Sequence, residues 1–111
     1  MKVYLAGPMR GREDDNRPVF LSAARELRSI GHTVLSPAEK SIESGVPTGL
    51  TNGRDFIEEM LWDLRAVTQV DAVVLLNGWE HSEGVALELA MARFVRCRVM
   101  TLREALDGVM R

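Results

Sequence analysis

The chain is poor in several things, and each shortage narrows what it can be. It has one cysteine, Cys97, in 111 residues. A lone thiol cannot staple its own chain, so the fold must rest on its core. A reducing, cytoplasmic setting is the simplest fit. Charge of one sign is also scarce: 14 basic residues face 16 acidic ones, for a net charge of −2, and no basic block stands out. Composition therefore gives no argument for binding a nucleic-acid polymer. It still allows a phosphate ligand, which a few backbone amides and one arginine can hold locally. The longest uncharged apolar run, Ala72 to Leu76, is too short to span a membrane. The apolar stretch at the N-terminus stops at Gly7-Pro8, too soon for the core of a signal peptide. His32 and His81 are far apart and have no ligand partners nearby, so neither a metal nor another cofactor is expected. No repeat, low-complexity segment or linker divides the chain, and the length fits one domain over residues 1–111.

What is present is an ordered alternation of strand and helix signals. "KVYLA" (2–6) is a β-prone apolar run ended by Gly-Pro and reads as a strand buried on both faces. A Gly-containing loop with a charged tip covers 7–16. Asn16 is placed to cap a helix and Pro18 suits its first turn. Val19, Phe20, Ala23, Ala24, Leu27 and Ile30 then recur at helical spacing, and Gly31 stops the helix. "HTVLS" (32–36) is a second strand. Residues 38–53 form a long Gly-rich connection, a kind more often functional than decorative. A helix over 54–68, a strong strand "VDAVVLL" (70–76), a loop (77–82), a helix (83–95), a strand (98–102) and a terminal helix (103–111) complete the order. Such alternation predicts an α/β fold: a Rossmann-like, flavodoxin-like parallel sheet of four to five strands flanked by helices. Ligands of these sheets bind outside the carboxyl ends of the strands. Here those ends carry loops 7–16, 36–53 and 77–82.

The polar chemistry concentrates in or beside those loops, and each signal has a plain structural reading as well. Glu88 is the single charge between Gly84 and Ala92. It is either a solvated residue on a thin exposed stripe, slightly favoured on helix geometry alone, or a functional carboxylate. Asp63 projects at the border of the apolar arc made by Phe56, Met60 and Val67, and is either a boundary residue, the commoner role, or a carboxylate aimed along the top of the sheet. The "GPMRG" loop (Gly7, Pro8, Met9, Arg10, Gly11) is either a tight turn or a close approach to a ligand, with Arg10 on an anion. Ser82 before Gly84 is a good N-cap or part of an anion site. Trp79, in a Gly-containing loop, either packs on the domain edge or stacks a base. Tyr4 is either a core phenol or one that reaches the site.

"VYLAGPMRG", "NRPVF", "GHTVLSPAE" and "DAVVLLNGWEHSEGVALELAMA" together resemble a family of small phage and prophage proteins without a settled function. That family is in turn similar to the nucleoside 2-deoxyribosyltransferase superfamily, and most of all to its deoxynucleoside 5′-monophosphate N-glycosidases. In those enzymes a Tyr-bearing strand leads into a Gly-Ser-Ile-Arg-Gly loop, which places Tyr4, Gly7, Arg10 and Gly11 at matching positions. Their catalytic Asp precedes the Asp of the central strand by eight residues, as Asp63 precedes Asp71. Their nucleophilic Glu ends an S-x-G-V-x-x-E segment, matched by Ser82, Gly84 and Glu88. The chain departs from the pattern at Pro8, where the loop loses a hydroxyl and an N–H, and in a longer loop holding Trp79.

The resemblance implies a small-molecule nucleoside or nucleotide substrate, whose N-glycosidic bond is cleaved or whose deoxyribosyl group is transferred. Glu88 would be the nucleophile, Asp63 the acid or the group that orients the base, and Tyr4 the group that positions Glu88. Residues of the first loop with Ser82 and Gly84 would hold the 5′ end, and Trp79 would cover the base. It also implies a homodimer with sites near the subunit interface. The alternative expectation is a module that binds or senses a nucleotide in the same pocket without turnover.

Overall fold

The structure, a computed structural model, describes residues 1–39 and 53–108. The side chains of residues 57–108 are described, but not those of residues 53–56. Four strands, β1 (Lys2–Ala6), β2 (Thr33–Leu35), β3 (Ala72–Leu75) and β4 (Arg98–Thr101), form one sheet in the order β2-β1-β3-β4. Every neighbouring pair is parallel, with Tyr4 opposite Leu35 on one side and Val73 on the other. The helices are α1 (Arg17–Ser29), α2 (Gly53–Val67), α3 (Glu83–Phe94) and the short α4 (Leu102–Leu106). This is the Rossmann-like parallel architecture expected from the alternation of elements.

Strand periodicity sorts the core into two layers. Val3 and Leu5 of β1, with Ala72, Val74 and Leu76 around β3, pack against Phe20, Ala23, Ala24 and Leu27 of α1 and Ala105 of α4. Tyr4 and Ala6, with Val73 and Leu75, face Ala66 and Val67 of α2 and Val85 and Ala92 of α3. Side chains alternate faces along a strand, so both layers are drawn from the same two central strands. Each fully buried Val, Leu or Phe contributes about 1.5–3 kcal/mol. The strand order also fixes where a ligand fits. The chain leaves β1 to one side for β2 and returns to the other side for β3, so the loops after β1 and β3 diverge and open a crevice.

Local differences from the expectations have physical causes. Asn16 stands at the N-cap of α1, but it sits in the left-handed region (φ 61°) and makes no side-chain cap bond. Its Nδ2 instead donates to the Pro8 carbonyl at 2.9 Å, tying the loop back on itself. The terminal helix starts at Leu102 under a Thr101–Glu104 capping box, and its described turn ends at Leu106. The connection after β2 is helical over 37–39, and residues 40–52 lie outside the described residues. Among the described residues no helix is long and apolar enough to cross a membrane.

Candidate active site

Three buried polar side chains meet on the α2–α3 face of the sheet. Tyr4 is fully buried, and its hydroxyl donates to Glu88 Oε2 at 2.7 Å. Asp63 lies within hydrogen-bonding range of the same hydroxyl. Glu88 is 5% exposed and Asp63 8%, so the solvated-stripe reading of Glu88 does not hold. Helix periodicity gives the residues that share a face, and the docking of α3 on the sheet decides that this face points inward. Burial pushes the Tyr4 phenol well above its usual pKa, and the charges of Glu88 and Asp63 push it further the same way. The phenol therefore stays protonated and remains a donor. Buried carboxylates are costly unless hydrogen-bonded, and a phenol placed for them offsets part of that cost.

Above this group opens a cavity of about 400 Å³. The loop after β1 contributes Gly7, Pro8, Met9, Arg10 and Arg12. The α2 helix contributes Glu59, Met60 and Asp63, and Pro37 comes from the segment after β2. The turn before α3 and its first turns supply His81, Ser82, Glu83, Gly84, Val85 and Glu88.

The walls have local reasons. A Cβ on Gly7 would stand 2.9 Å from Leu76 Cβ, so the loop can lie against the end of β3 only with glycine there. Gly78 has φ +88°, and a Cβ there would lie 2.6 Å from Arg12 Nη2. Glycine thus makes the turn and lets Arg12 lie over it. Ser82 caps α3 by accepting the Val85 N–H at 3.2 Å, which fixes the helix start at the cavity wall.

Of the residues singled out in the sequence, Gly7, Pro8, Met9, Arg10, Asp63, Ser82, Gly84 and Glu88 all line this cavity. Tyr4 lies beneath it on Glu88. Gly11 and Trp79 are not among its lining. Gly11 has φ +72°, and a Cβ there would meet nothing within 4 Å. Trp79 begins a 3-10 turn (Trp79–His81) and is half-buried against the α2–α3 core layer. The indole finds apolar partners there, so the domain-edge reading of this residue describes its position. Arg12, Glu59 and His81 line the cavity without having been singled out. Glu59 had a signal, since it precedes Asp63 by one helical turn. Arg12 had none, because its place depends on Gly78 in a distant loop. Among the described residues no three His, Cys, Asp or Glu side chains are grouped as metal ligands would be.

No curated protein matches the chain. Among solved structures, a 2-deoxyribosyltransferase from the psychrotolerant bacterium Bacillus psychrosaccharolyticus superposes with a TM-score of 0.69 and 26% identity. The match covers 91% of this chain and 71% of that one. By sequence, residues 1–101 match one family throughout, and the chain belongs to that family, described as a domain of unknown function (DUF4406).

Proposed function

We propose that the chain cleaves the N-glycosidic bond of a (deoxy)nucleoside or its 5′-monophosphate, or passes the sugar to another base, with Glu88 as nucleophile. The observation that carries this reading is the buried Tyr4–Glu88 hydrogen bond, with Asp63 beside it, at the floor of an open cavity. The likeness to a solved 2-deoxyribosyltransferase supports it independently.

The chemistry follows from the groups present. A Glu88 oxygen bonds to C1′ as the C1′–N bond breaks, and the bonding electron pair leaves with the base. Asp63, in its protonated form, gives that base a proton and is left as the carboxylate. Water or a second base then displaces Glu88 from C1′, and Asp63 takes the proton back from the attacking group. Tyr4 acts on Glu88, holding one carboxylate oxygen so that the other faces the sugar. Arg10, Ser82 and Gly84 hold the 5′ end. Positioning of this kind supplies much of the rate in such reactions.

Incubation with a panel of deoxynucleosides and their 5′-monophosphates, followed by chromatography for free base, tests the proposal. Wild type is expected to release base from at least one substrate and Glu88→Ala from none above background. Equal background release from both sinks the catalytic reading. Pro8, buried in the loop after β1 and lacking an N–H, favours a second reading in which the same pocket binds a nucleotide without turnover. Saturable binding retained in Glu88→Gln, with no product from wild type, would select that reading. The single thiol suits a cytoplasmic setting, and the exposed apolar side chains of α2 and α3 suit a homodimer.

A further inference from the structure

We propose that Glu59 reads the leaving base, and that the site selects bases carrying an exocyclic amino group on the edge away from the sugar. The inference rests on the glycosidase reading and concerns the same cavity.

Glu59 and Asp63 are four residues apart on α2, so they stand one turn above the other on one face, about 5–6 Å apart at Cβ. Both line the cavity. They differ in depth: Asp63 is buried, whereas Glu59 is half-buried. The direction from one to the other follows from topology. The C-terminal end of α2 leads into the start of β3, so α2 runs from the loop edge of the parallel sheet towards its opposite edge. Moving back from Asp63 to Glu59 therefore leads from the Tyr4–Glu88 group out towards the loops. A substrate with C1′ at Glu88 and its glycosidic nitrogen towards Asp63 extends the rest of its base along that line. The far edge of the ring reaches Glu59.

A carboxylate only accepts hydrogen bonds when ionised. Adenine, cytosine and guanine offer an amino group to such an acceptor. Where hypoxanthine or uracil replaces that amino group with a carbonyl, two acceptors face each other at that position, and the nearest donor of the base becomes the adjacent ring N–H. Sites built around a substrate hydrogen bond discriminate more sharply against its loss than apolar pockets do against a missing methyl. Glu59 also interacts with groups of the protein itself. A truncation would lose that contact too, so the informative variant is Glu59→Gln, which keeps the shape and can turn either an oxygen or an N–H to the base.

The test uses matched pairs, deoxyadenosine with deoxyinosine and deoxycytidine with deoxyuridine, each as the nucleoside and as the 5′-monophosphate, on wild type and Glu59→Gln. Both kcat/KM for base release and equilibrium binding by calorimetry are measured, with circular dichroism to confirm folding. Wild type is expected to prefer the amino-bearing member of at least one pair by roughly tenfold or more, the scale of one hydrogen bond to a charged group. Glu59→Gln is expected to bring that ratio close to one while still releasing base. Equal use of both members by wild type, or a ratio unchanged in Glu59→Gln, overturns the proposal and leaves the glycosidase reading standing. If no substrate releases base, the glycosidase reading fails and binding decides the role of Glu59. Amino-selective binding lost in Glu59→Gln sustains that role, and unselective or absent binding overturns it.

Discussion

Tyr4 is the chain's one tyrosine, so its ionisation can be followed without interference from another phenol. Its folded pKa is raised above the ordinary value of 10.0, by burial first and by the neighbouring carboxylates second. The folded state thus keeps a proton that the unfolded chain gives up. Stability from this group is full below pH 10 and falls as pH rises further, because the unfolded state then binds fewer protons. Tyrosinate absorbance in an alkaline titration should therefore appear together with loss of helix signal. Tyrosinate that develops while the circular dichroism remains native would contradict the burial of Tyr4 against Glu88. Tyr4→Phe keeps the ring in place and removes the donor. It should cost about 1–3 kcal/mol in denaturant unfolding, the range for leaving a buried group unsatisfied. Under the proposed mechanism it should also lower kcat more than it raises KM. A single sequence shows Tyr4 near the end of a strand and Glu88 among small apolar residues. It does not show that two residues 84 positions apart close into one hydrogen bond, because that depends on how α3 rolls on the sheet.

At the scale of elements, legibility followed periodicity. β1 was readable to the residue, and β3 was found within a run two residues longer at its start and one at its end, because buried parallel strands are continuous apolar runs. The start of helix α3 is legible in Ser82, whose capping of the Val85 N–H is local chemistry. Trp79 was harder, since a lone aromatic in a Gly-containing loop carries no period, and the left-handed Gly78 turns it back onto the core. The walls of the cavity are stiff for reasons that can be measured. Ser82→Ala removes the acceptor of the Val85 N–H and should cost about 1 kcal/mol, within the usual 0.5–2 kcal/mol for an N-cap. Gly7→Ala forces a methyl to 2.9 Å from Leu76 Cβ, a β-carbon that moves only with strand backbone. A destabilisation of about 1–3 kcal/mol is expected. A thermal melt of Gly7→Ala equal to wild type would mean that the loop after β1 does not lie against β3.

The whole molecule leaves apolar surface uncovered on the helices that wall the cavity. Phe94 is 84% exposed and Leu87 52% on α3, and Ile57 and Leu61 are 59% and 49% exposed on α2. Leu87 and Phe94 are seven residues apart, two turns along one face, and Ile57 and Leu61 are one turn apart. The two helices also pack on each other. Scattered surface apolars are ordinary, but two recurring pairs on adjacent helices are what an isologous twofold interface would use. Such an interface would need about 800 Å² from each partner to be stable. The homodimer proposed above therefore makes a definite prediction. Sedimentation equilibrium should show a dimer whose dissociation constant rises sharply in Phe94→Glu and Leu87→Glu, since each change places a charge where the partner's apolar surface must lie. Neither side chain is among those lining the cavity. If the dimer also completes the site, base release by Phe94→Glu should fall at low protein concentration and recover as concentration rises. Wild type that sediments as a monomer at every concentration would refute the dimer, and would leave the buried Tyr4–Glu88 pair to be judged on one chain's own chemistry.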